Sequence, residues 1–193
     1  MRLATMDGGY PLASRIKLAT VRRLGGVAIE EAAKSFLYRP QWGRPLAAIL
    51  QSLLRGHSAW TVGERELFAA FVSKLNRCSY CVGAHGALAS KHIGKETFQS
   101  ALADWRTAPV RAEVRAMLAF LETMTLRPGA LGPVDAAALT AGGVDRRAAL
   151  EAIYIGWWFN VGNRSADAFG LQQPPPNSLP RAVRFLLLLG YRV

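Results

Sequence analysis

The chain has 193 residues, 51% of them hydrophobic and 19% charged. That length favours one compact core over two independent ones, and so large an apolar share offsets the entropy of ordering, which excludes a wholly disordered chain. Lys and Arg number 24 against 13 Asp and Glu, a formal charge of +11. Such a field attracts nucleic acid or anionic membrane. The bases, however, stand singly or in pairs such as Arg22-Arg23 and Arg146-Arg147, without a dense block interleaved with aromatics, which is the pattern of a solvated basic surface.

Apolar residues recur three and four apart almost throughout, with no sustained two-residue alternation, so the chain reads as all-α. Helices are predicted over about 13–24, 27–37, 43–55, 63–75, 79–92, 95–104, 109–125, 133–141, 145–169 and 178–189. Gly25-Gly26 separates the first two, Pro40 and Gly43 close the second, Gly56 and Gly63 bracket a turn, and Gly94 ends the central helix. Further on, Pro109 starts a helix, Arg127-Pro128-Gly129 stops it, and Gly142-Gly143 with Asp145 opens the next. Gln172 to Asn177, with three prolines, is an irregular connector. The economical organisation is an N-terminal helical extension over 1–37 and a single core over 38–193.

The N-terminal stretch Met1 to Gly26 interleaves Arg2, Arg15, Lys17, Arg22 and Arg23 with apolar residues and lacks the continuous apolar centre of a secretory signal. The densest apolar run, Phe185 to Leu189, is far below the roughly 18–20 residues that span a bilayer. A cytoplasmic protein with no membrane partner is expected. The leucine-rich tail around 183–189 suits either the core or a subunit contact.

The chain has two cysteines, Cys78 and Cys81, in one Cys-x-x-Cys. A loop that short removes little entropy from the unfolded chain, so a structural staple is a poor explanation, and redox chemistry or metal binding is the default. Around them, Gly63 to Gly94 reads GERELFAAFVSKLNRCSYCVGAHGALASKHIG. Glu64 to Leu75 forms a helix, Asn76-Arg77 a turn, and a second helix starts near Ser79. Both cysteines then lie at a helix N-terminus, where the backbone dipole and free N–H groups favour thiolate. Cys81 and His85 are i and i+4, neighbours on one face, and Cys78 and Cys81 are i and i+3. An imidazole beside a thiol can take its proton, which makes His85 a candidate base. If the helices form a hairpin pivoting at Asn76-Arg77, Glu66 faces residue 86 or 87 and can orient the imidazole; Glu64 is its competitor, one face away.

Glu66, eleven further residues, Cys78-Ser79-Tyr80-Cys81, three more and His85 together resemble the signature of the alkyl hydroperoxidase D-like proteins of the carboxymuconolactone decarboxylase superfamily. Gly63-Glu64-Arg65-Glu66-Leu67 and Phe159-Asn160-Val161-Gly162-Asn163-Arg164 look like its peroxidase-related branch, so the likeness covers most of 40–170. The resemblance implies an all-helical homo-oligomer, cysteine-based peroxidase or disulfide reductase activity, and no haem, flavin, metal or other cofactor. It casts Cys81 as the peroxidatic cysteine, Cys78 as the resolving cysteine, and His85 and Glu66 as the proton relay. The substrate it implies is a peroxide, with a lipoylated or thioredoxin-like dithiol protein as reductant. One position departs from the pattern: the residue before the second cysteine is Tyr80 instead of histidine, and a phenol with a pKa of about 10 is a poor base at neutral pH. The decarboxylases of the superfamily lack the cysteine pair.

Two alternatives follow from the residues themselves. One is a basic nucleic-acid-binding protein whose cysteine pair is a redox- or metal-responsive switch, although no helix-turn-helix with a recognition face stands out and specific nucleic-acid binding is not expected. The other keeps the fold and makes thiol–disulfide exchange the reaction. A zinc site would have only the two thiolates and His85, and needs a fourth ligand. His57 and His92 read as structural, and Trp157, Trp158 and Phe159 as core or subunit contact. Asn160, Asn163 and Arg164, at i, i+3 and i+4, suit a polar network between helices.

Overall fold

The computed structural model describes residues 8–173 and 176–192. Its helices are α1 (Leu12–Gly25), α2 (Val27–Leu37), α3 (Pro40–Arg55), α4 (Val62–Leu75), α5 (Ser79–Ile93), α6 (Lys95–Ala103), α7 (Ala112–Leu126), α8 (Pro133–Ala141), α9 (Arg146–Phe169) and α10 (Leu179–Leu189). Short 3-10 turns occupy Pro128–Ala130 and Pro176–Ser178, and no strand occurs among the described residues. The fold is all-α, as the periodicity implies. Arg2 and the Pro174-Pro175 part of the connector lie outside the described residues.

Two helix starts differ from expectation, each for a local reason. Pro40 does not close α2; it opens α3 at the first helical position, where its missing N–H would have had no partner anyway. Pro109 does not start α7, which begins at Ala112. The Arg115 guanidinium reaches back to accept no bond but to donate two, to the carbonyls of Ala108 (2.9 Å) and Val110 (3.2 Å), and so holds that segment as a turn.

The chain divides into two compact units, Met1–Gly56 with Ser165–Val193, and His57–Arg164. In the first, α1 buries Ser14, Leu18, Val21 and Gly25 along one stripe and packs on α2 and α10. Gly25 permits that packing, since a Cβ there would sit 2.8 Å from Ile29 Cγ1 and 3.1 Å from Phe185 Cγ. The tail is split by its helical period: Val183, Phe185 and Leu186 are buried, whereas Leu188 is 83% exposed.

In the second unit α4 is the central element, with every residue from Gly63 to Ser73 buried. A helix buried on all sides takes apolar packing from every direction, here from α5, α6 and α7. Leu67, Phe68 and Val72 are wholly inaccessible, as are Leu88 of α5 and Met117, Leu118 and Leu121 of α7. Each such side chain contributes about 1.5–3 kcal/mol of transfer free energy. The start of α4 is set by a capping box: the Glu64 N–H donates to Thr61 Oγ1 (3.3 Å) and the Thr61 N–H donates to Glu64 Oε2 (2.8 Å). Hydrogen bonds tether the approach to α4 onto the first turns of α9. Trp60 Nε1 donates to the Ala148 carbonyl (2.8 Å), and Ser58 Oγ donates to Glu151 (2.7 Å).

The antiparallel pairing of α4 and α5 depends on Gly63, where an added Cβ would lie 2.6 Å from both His92 Cβ and Ile93 Cγ2. His92 Cβ is fixed to its backbone and cannot swing away. Gly63→Ala is therefore expected to destabilise the protein by about 1–3 kcal/mol through overpacking, read as a lowered urea midpoint; an unchanged midpoint would show that the helices separate at no cost.

Candidate functional site

α4 and α5 are joined by three residues, and the way α4 ends decides where the cysteines go. Asn76 is the C-cap, and Arg77 follows at φ +60°, the one left-handed residue other than glycine among those described. The Arg77 N–H donates to the Lys74 carbonyl (3.0 Å) and the Cys78 N–H to the Ser73 carbonyl (2.9 Å). This is the Schellman pattern, normally closed by glycine. It reverses the chain within one turn and sets Cys78 as the N-cap of α5, with Cys81 in its first turn. Cys78 is 0% exposed and Cys81 8%.

The reversal brings Glu66 of α4 opposite His85 of α5. His85 Nδ1 lies 2.7 Å from Glu66 Oε2, with the carboxylate 0% exposed and the histidine 8%. A carboxylate cut off from water is costly unless it is hydrogen-bonded and matched by positive charge. The ring of Phe159, from α9, meets the imidazole edge to face at 4.6 Å between centroids and closes it on a second side. Cys81, one turn before His85 on α5, shares that face. The four residues singled out by spacing, Glu66, Cys78, Cys81 and His85, thus sit in one small region of the second unit.

Glu64, the competing carboxylate, is committed elsewhere. It closes the capping box and accepts from Arg111 Nε (2.6 Å) and Nη2 (3.2 Å), while the same guanidinium lies over the Trp60 ring. Burial by itself would raise its pKa; the Arg111 hydrogen bonds, helped by the Thr61 N–H and the guanidinium charge, outweigh that and hold the carboxyl below its ordinary value. The pattern Thr61-x-x-Glu64 ahead of an apolar run is a capping-box signature, and it separates the roles of the two glutamates. His57 bonds to Arg147 (3.1 Å) at the surface and His92 is exposed, so neither joins the site. Among the described residues no group of three or more His, Cys, Asp or Glu is arranged to hold a metal ion.

A polar network lies directly beneath the cysteine turn. Asn163 of α9, 0% exposed, donates from Nδ2 to Ser73 Oγ (2.9 Å). Asn76 donates from Nδ2 to both Asn163 Oδ1 and Asn160 Oδ1, each at 3.0 Å. Asn160 passes its own N–H groups to the Gly156 carbonyl (3.0 Å) and Thr125 Oγ1 (3.3 Å). The interhelical use of Asn160 and Asn163 is as their helical spacing suggests. Their partners Ser73, Asn76 and Thr125 carry no spacing signal, because each lies tens of residues away in the chain.

Residues 40–123 match the carboxymuconolactone decarboxylase family. The structure is similar to that of an uncharacterised peroxidase-related protein from Silicibacter sp. TM1040 (TM-score 0.77, 26% identity, 90% of this chain and 91% of that one). It is also similar to a peroxidase-related protein from Ralstonia eutropha JMP134 described as an alkylhydroperoxidase AhpD core (TM-score 0.75, 25% identity, 88% and 89%). The debrominase Bmp8 shares the fold at 17% identity, with a TM-score of 0.70 over 89% of this chain and 95% of that one. No curated protein sequence matches the chain. The matched segment runs from the start of α3 into α7 and contains Glu66, Cys78, Cys81 and His85.

Two outcomes check the local physics. Arg77→Gly removes the left-handed penalty of a side chain, so stability should rise by up to about 1 kcal/mol in chemical denaturation; a loss would mean that the Arg77 side chain itself holds the turn. Ionised Glu64 adds stability above its ordinary pKa of 4.5, and that contribution is lost as the pH falls through its lower folded-state value. Glu64→Gln should therefore be less stable than wild type at neutral pH, with the gap closing on acidification, and a gap independent of pH would refute this role.

Proposed function

We propose that the chain is a thiol peroxidase that reduces hydroperoxides with Cys81 and Cys78 and is recycled by an external dithiol protein. The observation that carries this reading is the buried Glu66–His85 contact of 2.7 Å, on the same α4–α5 pair that presents both cysteines at a helix N-terminus. A carboxylate bound at Nδ1 keeps the proton on that nitrogen and leaves Nε2 as the basic one. His85 then accepts the Cys81 proton, and Glu66 stabilises the imidazolium.

The Cys81 thiolate attacks the distal oxygen of the hydroperoxide. The S–O bond forms as the O–O bond breaks, the sulfur is oxidised to sulfenic acid, and the alkoxide leaves with the proton held by His85 as an alcohol. The Cys78 thiol then displaces hydroxide from sulfur, giving the Cys78–Cys81 disulfide and water. A dithiol of the lipoyl or thioredoxin-like class returns both thiols and is itself oxidised to a disulfide. Tyr80, in place of the histidine found in the related hydroperoxidases, leaves His85 as the one imidazole of the motif, and so favours a slow peroxidase that also exchanges disulfides. The resemblance also implies self-association. Leu150, Tyr154, Trp157 and Val161, all exposed, form a continuous stripe on α9 on which a second copy would bury apolar surface.

Thiol counting before and after one equivalent of cumene hydroperoxide, with mass spectrometry across Cys78 and Cys81, is the test. Wild type should lose both thiols to one intramolecular disulfide. Cys81→Ser should not react, Cys78→Ser should stop at a sulfenate that dimedone traps, and Glu66→Gln should slow Cys81 oxidation by about 10²-fold or more. Thiols that persist in reduced wild-type protein would refute the peroxidase and leave disulfide exchange as the reaction of this site.

A further inference from the structure

The network below the cysteine turn has a direction. Each amide hydrogen bond runs from a donor that can only donate to an oxygen that can accept. Asn76 gives both its N–H groups to α9, Asn163 gives one back to Ser73 Oγ, and Ser73 passes its hydroxyl proton to the Ala69 carbonyl (2.7 Å). Reversing any amide would set N–H against N–H or oxygen against oxygen, so the orientations fix one another.

The network grips the turn at two points, and both govern Cys78. Ser73 supplies the carbonyl that receives the Cys78 N–H at 2.9 Å. Asn76 is the C-cap after which the chain enters the left-handed residue Arg77. A left-handed arginine is an unfavourable conformation that persists only where its surroundings over-determine it, and here Ser73 and Asn76, both on the α4 side of Arg77, are tied to a separate helix. Asn163 and Ser73 are each 0% exposed, so the tie is made without competition from water.

We propose that Asn163 is a positioning residue for Cys78. Acting through Ser73 and Asn76, it holds the Cys78 backbone where its sulfur can close on Cys81, and thereby sets how fast Cys78 resolves oxidised Cys81 and how stable the resulting disulfide is. The rate part rests on the thiol-peroxidase reading; the stability part concerns the dithiol–disulfide couple alone and holds for any reaction of the pair. The physical reason is preorganisation: a thiol held in register reacts at high effective concentration, and a displacement of about 1 Å can lower that by 10²-fold.

The test compares wild type with Asn163→Leu, which keeps the branched side-chain shape and removes both hydrogen bonds. Sulfenate formation at Cys81, read by dimedone trapping after hydroperoxide, should proceed at the wild-type rate, while disulfide formation slows by about 10- to 100-fold and sulfenate accumulates. In a dithiothreitol redox buffer the couple should become more oxidising, by about 30 mV for each tenfold loss of effective concentration. Ser73→Ala cuts the same link and keeps the carbonyl, so it should move both readouts the same way even where Asn163→Leu fails to fold. Combined with Asn163→Ala it should be less than additive. An unchanged potential in Ser73→Ala, or an equal slowing of both chemical steps with a fallen melting temperature, would overturn the proposal. If wild type does not react with hydroperoxide at all, the peroxidase reading fails, and the potential still decides the role of Asn163.

Discussion

Glu66 sits within Gly63 to Ser73 of α4, every residue of which is buried, and the chemistry of the second unit is organised around that placement. A buried carboxylate must be hydrogen-bonded, and with α4 enclosed by other helices its proton donor has to come from one of them. The donor is His85, 2.7 Å away on α5. That contact fixes the imidazole's tautomer, and the packing of Phe159 against the ring fixes its plane. Because His85 is one turn beyond Cys81, orienting the ring also sets its direction with respect to the sulfur.

The pairing of α4 with α5 is in turn made possible by two backbone features at opposite ends of the hairpin. At the open end Gly63 lets the helices touch through His92 and Ile93. At the closed end a left-handed Arg77 turns the chain back in three residues. Glycine would be the easier choice there. The strain is held by α9, whose Asn160 and Asn163 bind the residue before the turn. The same bonds that secure the end of α4 also hold the carbonyl that receives the Cys78 N–H.

Charge in the second unit is arranged so that the two neighbouring glutamates do different work. Glu64 is drawn into the Arg111 guanidinium and the capping box, which hold its carboxyl below the ordinary value. Glu66, two residues on and facing a different direction, meets the imidazole of His85. The helical rotation of about 200° between positions i and i+2 is what separates them.

Much of this was legible in the sequence. Helical periodicity, glycine and proline punctuation and the spacing from Glu66 through Cys78 and Cys81 to His85 are short-range properties, determined by residues within a few turns of one another. They suffice for an all-α fold, a hairpin and a candidate site. The starts of α3 and α7 were displaced because proline marks a boundary without saying on which side of it the helix lies, and at α7 Arg115 settled the matter through carbonyls upstream. What only the tertiary structure decided is which distant groups satisfy buried polar atoms: Arg111 for Glu64, Glu151 for the Ser58 turn, and Asn163 for Ser73. Those partners lie 47 to 93 residues apart in the chain. No local pattern encodes such pairs, because the requirement that joins them, that a polar group shut off from water must find another, arises only when the helices pack.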